Sequence, residues 1–360
     1  MVTIPMNTDL PIFDGHNDAL QSIYLPQPGK ERSFFERSDK GHTDLPRMRE
    51  GGYGGGFFAV FVPSKTSGNG FPGADPKSGK AAYELPLPPA IDPADAHKIT
   101  IKAMAGLFRL EAQSKGQLKV VRTAAELDEC LRHGTIAVVL HFEGAEAIDP
   151  ALDSLEVFYR AGLRSLGLAW SRPNAFAHGV PFRFPHSPDT GPGLSEAGRE
   201  LTAACNRLGI VIDLAHINEQ GFWDAARITE APLVVTHAGV HALCPSTRNL
   251  TDKQLDAIGD SGGVVGVNFH VGFLRRDGLL NSDTPLSEIA NHIQYIAQRI
   301  GIEHVALGSD FDGAIMPQEL GDVAGMPKLI KLLREQGFDN DALHKIAHEN
   351  WQRVLAETWK

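Results

Sequence analysis

The chain has 360 residues, of which 42% are hydrophobic, enough to bury one large core or two ordinary ones. Its formal net charge of −10, with Lys and Arg scattered along the sequence, argues against a nucleic-acid-binding surface. No apolar run approaches the roughly 18 residues of a membrane helix, and neither end resembles a secretion signal or lipid-anchor tail, so we expect a soluble cytoplasmic protein.

Short β-branched and apolar runs alternate with helical patterns along the chain. In chain order, the predicted strands cover residues 11–15, 54–62, 135–142, 163–169, 209–214, 232–236, 262–268 and 304–309. Apolar residues at three- and four-residue spacing predict helices over 195–208, 219–228, 251–258 and 285–300. Residues suited to helix starts are Ser195, Thr251 and Ser287, and residues suited to helix stops are Gly209 and Gly301.

Eight strands alternating with helices predict an α/β fold, a (β/α)8 TIM-type barrel, rather than an open doubly wound sheet. No internal repeat or linker divides the chain, so we expect one domain over residues 1–360. Two C-terminal helices, 328–335 and 341–357, are expected to pack outside the barrel.

Polar residues with metal-binding side chains follow the predicted strands, at the end of a barrel where chemistry gathers. His16 and Asp18 follow the first strand, and their two-residue spacing directs both side chains to one face of an extended segment. Later apolar runs are followed by Glu143, His216, His237 and Asp310. Alone, a His-x-Asp pair is weak evidence, but the recurrence at strand ends predicts a metal site.

The predicted ligands are three imidazoles and two carboxylates: His16, Asp18, Glu143, His216 and His237. This mixed nitrogen and oxygen set suits zinc and would also accept manganese, iron or cobalt. Five ligands exceed the needs of one tetrahedral ion, so we expect two ions with Glu143 bridging them. Such a pair would hold a bridging hydroxide able to attack near neutral pH.

Asp310 begins the sequence Asp-Phe-Asp-Gly after the last strand. A carboxylate there could take a proton from the attacking water and pass it to a leaving amine. Asp312 is the alternative. We favour Asp310 because it lies closer to the end of the strand.

The other histidines have simpler interpretations. His141 is expected to be a hydrogen-bonded core residue one layer below Glu143, and His304 to serve stability at the opposite end of the barrel. Histidines expected to be solvated are His97, His133, His344 and His348. Histidines that could reach the site, although surface or pocket-wall positions are the default, are His178, His186, His241 and His270.

Two long connections interrupt the pattern, residues 63–93 and 171–193, both rich in proline. Both follow strands, which predicts that they overhang the active face as lids or binding walls.

The three cysteines are too few and too far apart for a disulfide framework or a thiolate metal site. We therefore expect them to be reduced. Cys130 and Cys205 lie in helix-like segments as packing residues, and Cys244 lies in a loop near the predicted site.

Taken together, these motifs give a sequence that resembles the renal, or membrane, dipeptidase family of the amidohydrolase superfamily nearly from end to end. The markers are Asp14-Gly15-His16-Asn17-Asp18, Gly51-Gly52-Tyr53-Gly54-Gly55 with Phe57, Glu143-Gly144, Asp213-Leu214-Ala215-His216, Thr236-His237, Ser246-Thr247-Arg248-Asn249, Gly308-Ser309-Asp310-Phe311-Asp312-Gly313, and Asn350 with Arg353.

The resemblance implies a barrel with two zinc ions, one held by His16 and Asp18, the other by His216 and His237, with Glu143 as the bridge. It also implies hydrolysis of dipeptides, often with a D-residue at the C-terminal position, with Asp310 handling the proton. Arg248 matches the arginine that clasps the substrate carboxylate, a task suited to a planar two-pronged donor. A homodimer is a further implication.

One position departs from the family pattern. Where relatives usually carry a histidine that binds or polarises the substrate carbonyl, this chain has Trp170. An indole can donate one N–H but cannot carry positive charge. Either the oxyanion stabilisation or the substrate class differs, or Trp170 is a pocket wall and His178 or a zinc ion supplies the polarisation.

Three functions follow from this sequence. The leading hypothesis is a binuclear zinc dipeptidase. The second keeps the metal chemistry but changes the substrate to an N-acyl amino acid, a lactone or another small amide, because of Trp170. The third is a metal-binding scaffold without catalysis, which the complete set of ligands and the proton-carrying Asp310 disfavour.

Overall fold

The computed structural model describes residues 10–26, 29, 31–64 and 82–360. Its strands are β1 (Ile12–Asn17), β2 (Tyr53–Phe61), β3 (Tyr83–Glu84), β4 (Leu118–Val120), β5 (Ile136–Glu143), β6 (Leu163–Gly167), β7 (Arg183–Phe184), β8 (Val211–Asp213), β9 (Val234–Ala238), β10 (Val264–Val267) and β11 (Val305–Leu307). Its α-helices are α1 (Ala19–Tyr24), α2 (Leu45–Glu50), α3 (Pro93–Gln113), α4 (Ala124–His133), α5 (Asp153–Ala161), α6 (Glu196–Leu208), α7 (Glu219–Ile228), α8 (Asp252–Asp260), α9 (Val271–Leu274), α10 (Ser287–Ile300), α11 (Met326–Glu335), α12 (Asn340–His344) and α13 (Asn350–Thr358).

Eight parallel strands form the central sheet in the order β1, β2, β5, β6, β8, β9, β10, β11, and the short β4 pairs with β5 beside this path. The ring closes just beyond the ends of β11 and β1. There the N–H of Asp310 donates to the carbonyl of His16 at 3.0 Å, and the N–H of Asp18 donates to the carbonyl of Phe311 at 2.8 Å. This arrangement confirms the predicted (β/α)8 barrel.

The eight predicted strands are all present, with ends shifted by a few residues, and the four predicted helices correspond to α6, α7, α8 and α10. Ser195 caps α6 by accepting a hydrogen bond from the N–H of Gly198, and Thr251 with Gln254 forms a capping box on α8. Ser287 lies in the first turn of α10. Gly209 and Gly301 end their helices with φ angles of 73° and 104°.

Three longer helices, α3, α4 and α5, and three short ones, α1, α2 and α9, were not predicted. Standard signals mark α4: the Thr123 side chain accepts from the N–H of Glu126 at 3.2 Å, and Gly134 ends the helix with φ of 69°. Both residues could have been read from the sequence.

Alternation along β5 separates the two parts of the core. Ile136, Val138 and Leu140 face the surrounding helices, whereas Ala137 and Val139 face the inside of the barrel. Other residues in the interior cluster are Phe13, Phe57, Val211, Val234, Val264 and Ala306. The same alternation places His141 and Glu143 above these apolar layers, at the C-terminal end of the barrel.

The N-terminal end of the barrel is covered by α13. Trp351, fully buried, donates its indole N–H to the carbonyl of Leu307 at 3.1 Å and lies 5.0 Å from Phe57. A Cβ on Gly15 would lie 2.5 Å from the Trp351 ring and 2.4 Å from the carbonyl oxygen of Thr236, so only glycine fits. The C-terminal helices thus lie outside the barrel, as predicted, with α13 closing its end.

The two long connections meet through β3 and β7, which pair antiparallel with Tyr83 opposite Phe184. Residues 65–81 of the first connection, part of the predicted lid, lie outside the described residues. The second connection lies beside the chain around Arg248, because the N–H of Arg183 donates to the Thr247 hydroxyl at 3.1 Å. Within the described ranges, every helix is too short or too polar to cross a membrane.

Candidate metal centre and active site

The predicted ligands converge at the C-terminal ends of four strands. His16 lies in β1 with Asp18 just after it, Glu143 is the last residue of β5, and His237 lies in β9. His216 follows β8 with a left-handed backbone, φ of 64°, and Asp310 follows β11 with φ of 63°. Left-handed residues other than glycine are uncommon and cluster at functional sites, where the surrounding structure holds them.

Two groups of potential ligands share one carboxylate. In each group, one ligand atom per residue lies within 4.8 Å of the others: His16, Asp18 and Glu143 in the first, Glu143, His216 and His237 in the second. The Glu143 Oε1 atom lies 3.8 Å from His16 Nε2, 3.0 Å from His216 Nε2 and 3.6 Å from His237 Nε2. The structure therefore brings together all five predicted ligands around Glu143.

Hydroxyl groups orient two of the imidazoles. The Nδ1 atom of His216 lies 2.8 Å from Ser171 Oγ, and the Nδ1 atom of His237 lies 2.8 Å from Thr236 Oγ1. Thr236 is itself fixed, since its hydroxyl donates to Asp213 Oδ2 at 2.7 Å. The two Nε2 atoms then face each other at 3.0 Å. Metal-binding histidines are commonly oriented in this way, by a hydrogen bond from the ring nitrogen that does not bind the metal.

His16 supplies a direct test of whether a cation fits. Its side chain is fully buried, and neither Nδ1 nor Nε2 has a hydrogen-bond partner, which is costly for a polar group removed from water. Asp18 Oδ2 lies 3.5 Å from Nε2. A divalent ion between these atoms would satisfy the imidazole and balance the buried carboxylates, so the donor set fits a metal.

The acid–base properties of the site fit the same interpretation. Burial lowers the pKa of His216 and of His237 well below the usual value, so both are neutral and able to bind metal at neutral pH. Burial also raises the pKa of Glu143 well above its usual range. Burial opposes a charge on His16, yet Glu143 and Asp18 raise its pKa to about 10. Metal cations in the site would balance the charge of these carboxylates in place of a proton on His16.

Asp310 lies beside both ligand groups. One of its carboxylate oxygens is within 4.8 Å of a ligand atom of His16, in the first group, and of His237, in the second. Its side chain is partly exposed, and its Oδ2 accepts a hydrogen bond from the Asn268 amide at 2.9 Å. Asn268 was not predicted, although it ends the seventh predicted strand and the same strand-end pattern marks it.

Asp312, the alternative to Asp310, is used differently. Its carboxylate accepts hydrogen bonds from the Arg32 guanidinium at 2.8 Å, from the His42 N–H at 2.6 Å and from the Thr43 hydroxyl. These contacts fasten the segment before α2 to the chain after β11. The geometry thus leaves Asp310, and not Asp312, facing the candidate ligands.

Arg248 is buried beside the site, 4% exposed. One guanidinium nitrogen donates to the carbonyl of His237 at 3.0 Å, whereas Nε has no hydrogen-bond partner. Its guanidinium lies 5.5 Å from the centre of the Phe273 ring. Burial lowers the pKa of Arg248 while Asp310 and Glu143 raise it, and an arginine stays charged in proteins. A buried, partly unpaired cation is suited to binding an anion.

Trp170 forms an aromatic wall beside the imidazoles. Its ring centre lies 5.7 Å from that of His216, 5.0 Å from Phe61 and 5.6 Å from Phe182. The guanidinium of Arg172 lies 5.0 Å from the Trp170 ring. The structure thus places Trp170 beside His216, in contact with apolar rings on two sides.

Arg172 and Glu146 were not predicted. Both are buried, and Arg172 Nε donates to Glu146 Oε1 at 2.7 Å, while the guanidinium also donates to the Val62 carbonyl at 2.7 Å. This pair ties the chain after β2, β5 and β6 together behind Trp170. Charged residues in a loop carry no sequence signal for burial, because that depends on the fold around them.

The remaining histidines lie where simpler roles apply. His141 is buried, and its Nδ1 lies 2.9 Å from the Ser165 hydroxyl oxygen. His270 Nδ1 accepts from the Ile315 N–H at 3.1 Å, and His304 Nδ1 lies 2.8 Å from the Gly263 carbonyl. Among the described residues, the ligand groups at the barrel's C-terminal end include none of these three.

The three cysteines are free and buried. Cys130 lies in α4 and Cys205 in α6, as predicted for packing residues. Burial raises the pKa of the Cys244 thiol to about 12, so this residue is a poor metal ligand despite its place near the site.

Comparison with known proteins identifies the family of this chain. A family model described as membrane dipeptidase, peptidase family M19, matches residues 4–360. A Klebsiella pneumoniae protein, described as an uncharacterized protein in the pqqA 5′ region, is 50% identical over 268 residues, covering 74% of this chain and 99% of its own. A metallo peptidase from Rhodobacter sphaeroides, solved with a phosphinate mimic of the dipeptide L-Ala-D-Ala, superposes with a TM-score of 0.92 at 47% identity, covering 97% of this chain and 99% of its own.

A second solved structure, described as dipeptidase AC, a metallo peptidase of family M19, superposes with a TM-score of 0.92 at 48% identity, covering 98% of this chain and 99% of its own. The family resemblance stated from the motifs is therefore confirmed. This chain belongs to the membrane dipeptidase family, peptidase family M19, and is a metallodipeptidase.

Proposed function

We propose that the protein is a binuclear zinc dipeptidase that accepts dipeptides with a D-residue at the C-terminal position. The observation that carries the proposal is the pair of ligand groups sharing Glu143, with Asp310 and Arg248 beside them. His16 and Asp18 would hold one ion, and His216 and His237 the other. The Rhodobacter sphaeroides relative, solved with a mimic of L-Ala-D-Ala, supports the L-D class of substrate.

The bound ions would supply Lewis acidity and an activated water nucleophile. The protein's own part begins with recognition of the substrate. Arg248, buried and with Nε unpaired, would bind the free carboxylate through two parallel hydrogen bonds. That contact fixes the C-terminal residue of the dipeptide and excludes longer peptides, which have no carboxylate at that position.

Asp310 would move the proton. Asn268 holds Oδ2 of Asp310, and this fixes the carboxylate while leaving Oδ1 to accept a proton from the nucleophile and return it to the leaving amine. Asp310 is partly exposed, whereas Asp18 and Glu143 are buried, and this exposure lets the proton exchange with solvent.

Trp170 would act as a wall of the substrate pocket. Its contacts with Phe61 and Phe182 build an apolar surface next to His216. An apolar wall excludes water from the reacting carbonyl, and the indole N–H can donate one hydrogen bond. With no histidine here, polarisation of the carbonyl would fall to the metal.

A panel of L-L and L-D dipeptides tests this proposal, with purified enzyme loaded with zinc and its metal content measured by mass spectrometry. We expect at least two zinc ions per chain and turnover of at least one L-D dipeptide. No turnover on any member of the panel, with metal bound, would refute it. One ion per chain at full activity would refute the binuclear part alone.

The second candidate, an N-acyl amino acid or another small amide or lactone as substrate, is favoured by Trp170. Blocking the amino group of a good dipeptide substrate separates the two: acetylation abolishes activity if the free amine is recognised and preserves it if the enzyme is an acyl-amino-acid hydrolase. A Trp170→His variant tested on both forms shows whether this position sets the preference.

Arg248→Met tests the carboxylate contact in the same assay. Loss of a charge-assisted pair of hydrogen bonds should raise KM by about 10- to 100-fold on dipeptides. Dipeptide amides, which lack the carboxylate, should be affected little by the same change. An equal effect on both substrates would remove Arg248 from recognition. The expected homodimer and cytoplasmic location remain predictions.

A further inference from the structure

A second cluster of metal-binding side chains lies far from the candidate active site, at the junction of α12 and α13. His344, His348 and Glu349 each offer one ligand atom, and these atoms all lie within 4.8 Å of one another. The two imidazole ring centres are 5.6 Å apart. The sequence predicts that both histidines are solvated, and neither has a role in the dipeptidase site.

The backbone explains why three ligands meet here. Residues Lys345–Glu349 form a π-helical turn, in which the N–H of Asn350 donates to the carbonyl of Lys345, five residues earlier. In a regular α-helix the side chain four positions on lies near the first, while the side chain five positions on points away. The wider π turn brings both His348 and Glu349 back beside His344. Such turns are rare overall, but those that occur are often found at functional sites.

One buried ring nitrogen of the cluster lacks a partner within the described protein. His348 Nδ1 is buried and has no hydrogen-bond partner. The neighbouring Lys345 forms an ion pair with Glu303, with Nζ 2.8 Å from Oε1, so its charge is neutralised outside the cluster.

There is also room for an ion to enter. His344 lines a cavity of about 460 Å³ that opens between the start of β1 and the helices α11 and α12. Leu10, Ile12 and Leu343 form its apolar part, and Arg334 and Asn340 its polar part. Arg334 is the one cation among the lining residues, and its guanidinium lies 3.5 Å from the Asn340 amide oxygen. Water could complete the coordination of an ion from this side.

We propose that His344, His348 and Glu349 form a separate binding site for a zinc-class divalent cation, at the N-terminal end of the barrel. Two imidazoles and one carboxylate match the nitrogen and oxygen ligands of zinc, with a fourth position left to water. An ion there would fasten the π turn and stabilise the folded chain by mass action. The site is independent of the dipeptidase reaction.

Metal content of the tag-free full-length enzyme tests this site, because a polyhistidine tag would itself bind zinc. The wild type, His344→Gln and Glu349→Gln are dialysed against zinc buffered at low micromolar free concentration, and bound zinc is counted by mass spectrometry. The matched control is His133→Gln, which changes an exposed histidine at the end of α4. We expect both site variants to lose one ion per chain and the control to lose none.

Thermal unfolding gives the second measurement. Zinc added beyond saturation of the active site should raise the Tm of the wild type and of His133→Gln, and should raise it less for His344→Gln and Glu349→Gln. Dipeptidase activity should be equal in all four proteins, which keeps this test apart from the proposed function. Equal zinc content in the wild type and both variants, or zinc bound only at millimolar concentration, would overturn the proposal.

Discussion

One histidine of the helical layer, His292, and two histidines at the C-terminal end of the barrel, His216 and His237, are all buried but are bonded in opposite ways. His292 in α10 is fully buried, and both ring nitrogens meet the backbone: Nδ1 accepts from the Val240 N–H at 2.9 Å, and Nε2 lies 3.1 Å from the Leu274 carbonyl. His216 and His237 bond only through Nδ1, to hydroxyls, and their Nε2 atoms face each other.

The difference separates structural from ligand histidines. His292 satisfies both ring nitrogens with protein groups, as expected of a buried imidazole that serves stability, because an unmade hydrogen bond is costly. At the candidate centre neither nitrogen of His16 has a partner, and the Nε2 atoms of His216 and His237 lie against each other beside one carboxylate. Convergent unsatisfied atoms therefore indicate a ligand from outside the chain, whereas burial alone does not.

The largest expected effect is that of Glu143→Gln, which keeps the shape of the shared residue and removes its charge. We expect loss of measurable dipeptidase activity and a lower metal content, because both ligand groups lose their common anion. The matched control is Glu146→Gln, three residues further on, which should keep its metal because its carboxylate faces Arg172. Full metal content in Glu143→Gln would contradict a shared carboxylate.

Asp310→Asn comes next. Removing the proton carrier should lower kcat by about 10²- to 10⁴-fold, the range of general acid–base catalysis, while metal content stays unchanged. Asp312→Asn is the natural comparison. It weakens contacts with Arg32 and Thr43, so it should lower the free energy of unfolding and leave kcat nearly unchanged. If Asp312→Asn lost the greater part of kcat and Asp310→Asn did not, the two roles would be reversed.

Most of the barrel and of the candidate centre could be predicted from the sequence, because both follow from short-range patterns. Strand runs, their order and the polar residues at their ends are local features, and they located His16, Glu143 and His216. The contacts that could not be predicted are long-range. Arg172 reaches the Val62 carbonyl, 110 residues away, and this requires the folded barrel.

The π turn that contains His348 could not be predicted from the sequence, for a related reason. Its sequence, Lys-Ile-Ala-His-Glu, reads as ordinary helix, and the inserted residue is visible only in the hydrogen bonds of the backbone. Trp170 shows the opposite case, since a departure from a family motif was visible in sequence, but its aromatic neighbours were not.

Acid stability tests the burial of His292 independently of any metal. Burial lowers the pKa of His292 to about 4 from an unperturbed value near 6.5. Between these values the unfolded chain binds the extra proton, so stability present above pH 6.5 is lost as the pH falls towards 4. The contribution of His292 to this loss should be about 3 kcal/mol near pH 4.

His292→Gln should show a smaller acid-induced loss, since Gln cannot be protonated. The measurement is urea unfolding of the metal-free protein at pH 7 and pH 4.5, with His133→Gln as the control expected to match the wild type. An identical pH dependence in His292→Gln would mean that other groups carry the acid sensitivity.

The smallest expected effect is on metal affinity alone. Thr236→Val keeps the shape of the side chain but removes the hydroxyl that joins His237 Nδ1 to Asp213. Loss of such an outer partner should weaken metal binding by about 10- to 100-fold, with activity restored at saturating zinc. Thr202→Val, which removes a buried hydroxyl bonded within α6, should leave metal affinity unchanged. Chelator competition measures both, and equal affinities would mean that His237 is oriented by packing and not by its hydroxyl partner.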